Sequence, residues 1–171
     1  MAGLLEGKKG LILGVANKRS IAWAVAQSCA DQGAELAFSY QGERLEEGVR
    51  ELAGTLKGSL VMPCDVMKEN ELDTAFQTIQ KEWGGLDFVA HCIAYALADD
   101  LKGGYLKTKK EGFDTALGVS AYSLTAVCQK AAPLLEARGG GSIVTLTYLG
   151  GDRVSPDYHV MGVATAALQS C

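Results

Sequence analysis

Short apolar runs alternate with helix-length apolar stripes along this chain, and that alternation constrains its fold more than any other feature. The runs are Gly10-Leu11-Ile12-Leu13-Gly14, Glu35 to Tyr40, Ser59 to Cys64, Leu86 to Ile93 and Ser142 to Thr147. Each has the length and continuous apolar character of a strand buried on both faces. Between them, Ile21, Val25 and Cys29, with Ala22, Ala26 and Ala30 beside them, make a four-residue stripe on one helix face. Residues 43–55 read as a more polar helix, and Leu72, Ala75, Phe76, Ile79 and Trp83 mark a third. Gly33 and Gly84-Gly85 close the first and third of these. Thr108-Lys109-Lys110-Glu111 has the form of a capping box, opening a helix that runs to about Arg138 and ends at Gly139-Gly140-Gly141. A last helix starts near Pro156.

Strands alternating with helices predict an α/β protein with a parallel sheet. Right-handed crossovers make that sheet doubly wound and Rossmann-like, with its ligand site at the carboxyl ends of the strands. Chemistry is therefore expected around Gly14, Tyr40, Asp65, Ile93 and Thr147. The 171 residues read as one domain, and 48% apolar content is enough for a real core. A net charge of -4 argues against nucleic acid or an anionic membrane as the main partner. The cysteines at 29, 64, 92, 128 and 171 contain no C-x-x-C pair, so neither a disulfide framework nor a metal site is expected. With no apolar signal region at the start and no run of membrane-spanning length, the expected location is the cytoplasm.

The first strand-to-helix turn, Gly14-Val15-Ala16-Asn17-Lys18-Arg19-Ser20-Ile21-Ala22, lacks the G-x-G-x-x-G fingerprint. It reads either as an ordinary turn with a basic pair in solvent or as a pyrophosphate site at a helix N-terminus. Residues 14–23 closely resemble the cofactor turn of the bacterial NADH-dependent enoyl-[acyl-carrier-protein] reductases, a branch of the short-chain reductases. The resemblance implies that Gly14, Ser20 and Ile21 hold the pyrophosphate and that Gln41 meets the adenosine ribose. Arg44 could instead meet a 2′-phosphate, so NADH is the expected cofactor and NADPH the less favoured one. Asp65 and Val66 resemble the pair flanking adenine, although Asp65 also reads as a cap for the third helix. By the same resemblance Cys92, Ile93 and Ala94 line the nicotinamide pocket, and Tyr95 and Ala96 lie toward substrate. Cys92 reads as a small buried residue and His91 as a packed imidazole inside its strand.

Tyr148-Leu-Gly-Gly-Asp-Arg-Val-Ser-Pro-Asp-Tyr158 carries the most specific resemblance. The family places two tyrosines with nine residues between them, then a Lys after six more. A carbonyl reductase of the same superfamily has Tyr-x-x-x-Lys, and position 162 here is Gly. The spacing favours reduction of a conjugated C=C bond in an acyl-carrier-protein-linked or CoA-linked enoyl thioester during fatty acid biosynthesis. Tyr158 is the candidate that stabilises the enolate oxygen, and Tyr148 either supports it from behind or orients substrate; the plainer alternative is that both are loop and core aromatics. His159, one helical step of about 100° from Tyr158, is expected to face elsewhere.

The departure is at 165, where the family Lys that holds the nicotinamide ribose is Thr165. A charge-assisted hydrogen bond contributes about 1.5–3 kcal/mol, so its loss implies roughly 10- to 150-fold weaker cofactor holding. Thr165 thus occupies a cofactor-binding position without the cation. The resemblance also implies a longer chain, a sheet of about seven strands against the five here, and a homotetramer. On that reading residues 1–171 are an NAD(P)-binding domain lacking its C-terminal part, with the fifth strand left as an apolar edge. Two other readings stay open: a short-chain alcohol or carbonyl dehydrogenase, and a nucleotide-binding protein without turnover.

Overall fold

The computed structural model describes residues 3–102 and 104–171. Strands β1 (Lys9–Leu13), β2 (Glu35–Tyr40), β3 (Leu60–Pro63), β4 (Phe88–His91) and β5 (Ser142–Thr145) form one sheet in the order β3-β2-β1-β4-β5. Every pair is parallel. Helices α1 (Ile21–Asp31), α2 (Glu43–Gly54) and α3 (Glu69–Trp83) connect the first four strands. Strand order reverses between β1 and β4, which makes their carboxyl ends the switch point of a doubly wound sheet. The chain forms two compact units. One runs to Cys92 and includes Cys128–Thr145; the other comprises Ile93–Val127 and Leu146–Cys171.

The first unit contains the whole sheet. Residues 36–40 of β2 are all buried, as befits a strand with partners on both sides. Phe38 meets Trp23 of α1 with ring centroids 6.1 Å apart, and Val49 and Ala53 of α2 complete that core. The stripe expected on α1 is rotated from the sequence reading: Ala22, Trp23 and Ala26 are buried, whereas Ile21 is 65% exposed. Ile21 is the first helical residue, so it lies at the strand ends rather than over the core. Asp87 ties the opposite end of the sheet together. Its carboxylate accepts from the Lys9 amide at 2.9 Å, Lys8 Nζ at 3.0 Å and Arg138 Nε at 2.7 Å.

The second unit contains α4 (Lys110–Leu117) and α6 (His159–Gln169), packed through Ala116, Val160, Met161 and Ala164. Two expectations are corrected here. The capping box does not form: Lys109 is the N-cap, and the Thr108 hydroxyl is buried without a hydrogen-bond partner among the described residues. Asp100, brought from an earlier turn, accepts the Lys109 amide at 3.4 Å instead. Nor is the following helix continuous. A π turn, Gly118–Tyr122, separates α4 from α5 (Ser123–Glu136). The apolar periodicity persists through the extra residue and hides it. The last helix starts at His159, a few residues later than Pro156 suggests.

Candidate functional site

The first part of the site is built where β1 and β4 end. Gly14 has φ +97°, and a Cβ there would run into the Cys92 carbonyl oxygen, so both the conformation and the space require glycine. The Cys92 amide donates to the Leu13 carbonyl at 3.1 Å, holding the two strand exits side by side. Past Gly14 the chain turns through Asn17, whose side-chain oxygen accepts the Arg19 amide at 2.8 Å. Ser20 is the N-cap of α1, yet its hydroxyl donates back to the Asn17 carbonyl at 2.6 Å and caps no helix amide. No acid lies in the first turn of α1. An eleven-residue helix therefore starts with uncapped amides and its positive dipole end, bordered by the exposed Ile21 side chain. This arrangement fits a pyrophosphate. Lys18 and Arg19 are exposed.

Around the other strand ends the sequence candidates lie as follows. Gln41 is exposed immediately after β2, and Gly42 precedes a first turn of α2 that carries Glu43 and Glu46. Arg50 donates to Glu46 at 2.8 Å and lies over the Tyr40 ring at 5.6 Å. Asp65 is half-buried beside buried Val66. Its carboxylate accepts the Met67 amide at 3.0 Å and its own amide donates to Glu71 at 2.8 Å. Because α3 starts at Glu69 with Lys68 as N-cap, the helix-cap role for Asp65 is overturned; it closes a tight turn instead. Cys92 is half-buried, and burial pushes its thiol pKa up, away from the reactive thiolate. His91 is fully buried with Nδ1 3.0 Å from Thr145 Oγ1, and burial lowers its pKa to about 4.

The second unit carries the tyrosines. Tyr148 and Tyr158 pack with ring centroids 4.7 Å apart and planes inclined at 53°. Tyr158 is the N-cap of α6 and lines a cleft of about 640 Å³ with Tyr105, Val154 and His159. Burial raises the Tyr158 pKa, the Thr165 hydroxyl opposes this, and Tyr148 adds to it. The phenol therefore stays protonated and able to donate at neutral pH. His159 lines the same cleft, against the expectation that it faces away. The helical step does not apply, because Tyr158 precedes the helix and His159 has φ +34°. Thr165 is 3% exposed, and its hydroxyl donates to the Met161 carbonyl at 2.7 Å, inside its own helix.

Ile93 and Ala96 are half-buried, while Ala94 and Tyr95 are exposed. The sequence reading missed Ser120, in the middle of the π turn. Its Oγ accepts the Tyr95 amide at 2.9 Å and donates to the Tyr95 carbonyl at 3.1 Å. A lone Ser in an apolar helical stretch carries no local signal of such a contact. Among the described residues there is no cluster of three His, Cys, Asp or Glu side chains arranged to hold a metal ion. No helix among them is long and apolar enough to cross a membrane.

A parallel sheet whose strand order reverses beside a glycine turn and an uncapped helix N-terminus defines a Rossmann-type fold. The family model for enoyl-(acyl carrier protein) reductase matches residues 14–171. The NADH enoyl-[acyl-carrier-protein] reductase FabI of Bacillus cereus is 54% identical over 169 residues, covering 98% of this chain and 65% of that protein. The Bacillus subtilis (strain 168) reductase is 52% identical over 97% of this chain and 64% of its own length. The crystal structure of the Aquifex aeolicus enzyme superposes with a TM-score of 0.95 at 47% identity, over 98% of this chain and 66% of that one. The chain belongs to the enoyl-(acyl carrier protein) reductase family, and it spans 65% of the length of the Bacillus cereus relative.

Proposed function

We propose that this chain carries the cofactor turn and the tyrosine pair of an NADH-dependent enoyl-[acyl-carrier-protein] reductase, which reduces the trans-2 double bond of enoyl thioesters in fatty acid biosynthesis. The observation that carries the reading is Tyr158, whose phenol lines a cleft of about 640 Å³ with the Tyr148 ring packed against it at a tilt. A nicotinamide held by this chain would supply a hydride to the β-carbon of the enoyl thioester, and the resulting enolate would take a proton from solvent at its α-carbon to give the saturated product. Tyr158 donates a hydrogen bond to the thioester oxygen, where negative charge develops, and Tyr148 restricts its ring. Gly14, Ser20 and Ile21 would hold the pyrophosphate, Gln41 the ribose, and Asp65 and Val66 the adenine. Cys92, Ile93 and Ala94 would border the nicotinamide, and Tyr95 and Ala96 the acyl group.

The cofactor is proposed to be NADH. Glu43 and Glu46 stand in the first turn of α2 and set two negative charges against a 2′-phosphate there, opposed by the exposed Arg44 between them. The Bacillus cereus relative is named for NADH and has been crystallised with NADP+ and indole naphthyridinone. The substrate would be linked to acyl carrier protein or CoA, and the working assembly would be a homotetramer in the cytoplasm. A second reading, nucleotide binding without turnover, is favoured by one observation: the Thr165 hydroxyl is engaged within its helix and offers no cation.

Fluorescence titration with NADH and NADPH, followed by NADH oxidation with a trans-2-enoyl thioester, tests the proposal. Saturable binding that favours NADH is expected, and Tyr158→Phe should lower turnover about 10²- to 10⁴-fold while leaving NADH affinity within about twofold. Binding without turnover would leave the second reading. Faster reduction of a matched keto thioester would overturn the proposed chemistry.

A further inference from the structure

The π turn Gly118–Tyr122 inserts one residue into the helical ladder, so the Ser123 amide reaches the Gly118 carbonyl five residues back. An extra residue turns the following helix by roughly 100° relative to an uninterrupted one. Ser120 and Ser123 are both buried, at 1% and 0% exposure. They use their hydroxyls differently. Ser123 donates to the Val119 carbonyl at 2.6 Å, within the helix. Ser120 reaches outside it, accepting from the Tyr95 amide at 2.9 Å and donating to the Tyr95 carbonyl at 3.1 Å. Met161 Sδ, at 3.7 Å, is the weaker claimant on the single hydroxyl hydrogen.

We propose that Ser120 is a positioning residue for the enoyl site: its hydroxyl clamps both backbone polar groups of Tyr95 and so sets where residues 95 and 96 meet substrate. This rests on the reading that Tyr95 and Ala96 border the acyl group. Tyr95 is 52% exposed, so its place depends on the Ser120 clamp on its backbone together with the packing of its neighbour Ala96 against Ala116, Val160, Met161 and Ala164. Removing the hydroxyl leaves both Tyr95 groups to water and frees the segment to move.

The test is amide hydrogen exchange across residues 93–97 in the full chain, together with titrations against NADH and crotonyl-CoA. Ser120→Ala is smaller than the native residue and should fold; Ser120→Thr keeps the hydroxyl as the rescue variant. Exchange at Tyr95 should accelerate on the order of ten- to thirtyfold in Ser120→Ala and stay near the native rate in Ser120→Thr. Crotonyl-CoA affinity should fall in parallel, with NADH affinity unchanged. Unaltered Tyr95 exchange in Ser120→Ala overturns the clamp. Accelerated exchange with unchanged crotonyl-CoA affinity overturns the positioning role. If the native chain binds no crotonyl-CoA although Tyr95 exchange responds, the proposed substrate reading fails while the clamp itself stands.

Discussion

Two neighbours on one helix differ in what their chemistry can reach. Tyr158, at the start of α6, presents a phenol that burial keeps protonated, while Thr165, two turns on, is buried and bonded to the Met161 carbonyl. A Thr hydroxyl tied to its own helix cannot substitute for an ammonium on a four-carbon arm, whose stem can run along apolar surface to place its charge in a site. Thr165→Lys is therefore expected to strengthen NADH binding roughly 10- to 150-fold, the range of one charge-assisted hydrogen bond. Titration of the two proteins side by side decides this, and equal affinities would remove position 165 from the cofactor site.

Among the elements, β4 is where pairing and ionisation meet. It lies between β1 and β5, and its last residue, His91, pairs in register with Leu13 and Thr145. Burial lowers the His91 pKa from 6.5 to about 4, so the unfolded chain takes up a proton between those values while the folded chain does not. The stability tied to neutral His91 is thus fully present above pH 6.5 and is lost as pH falls toward 4, at most about 3 kcal/mol. Urea unfolding across that window should show the decline, and His91→Asn should flatten it; equal slopes would remove His91 as the cause. At the other end of the strand, burial alone would raise the Asp87 pKa, but the Lys9 amide, Lys8 and Arg138 hold it below the usual carboxylate range. Asp87→Ala removes the carboxylate that pairs Arg138, Lys8 and the Lys9 amide and should cost about 2–4 kcal/mol in urea unfolding, whereas breaking an exposed pair such as Lys110–Asp114 should cost under about 1 kcal/mol.

For the whole molecule, the exposed edge matters most. β5 ends the sheet, and no strand lies beyond it among the described residues. Val144 there is 59% exposed, and Leu146, just past its end, 39%. An apolar strand with open backbone groups is a template for pairing with another copy. Val144→Lys should reduce concentration-dependent light scattering while moving the unfolding midpoint by less than about 0.5 kcal/mol in stability terms. Unchanged scattering would mean that β5 is not the surface through which copies meet.

Much of this was legible in one dimension because its causes are local. Runs such as Leu11-Ile12-Leu13 are apolar on both faces, and a doubly covered parallel strand needs that, so five strands in a doubly wound sheet followed from pattern and handedness, while their order β3-β2-β1-β4-β5 came from the structure. Gly14 and the tyrosine spacing were also visible, since one is a conformational requirement and the other a fixed interval. What the tertiary structure alone decided depends on contacts between residues far apart in the chain. Asp100 displaced Thr108 as the partner of the α4 N-terminus because a carboxylate folded in from another turn reached the Lys109 amide. Ser120 reached Tyr95 across 25 residues through a π turn that leaves the apolar period nearly unchanged. Periodicity reports which face is buried; it does not report which distant polar group the burial brings within hydrogen-bonding range.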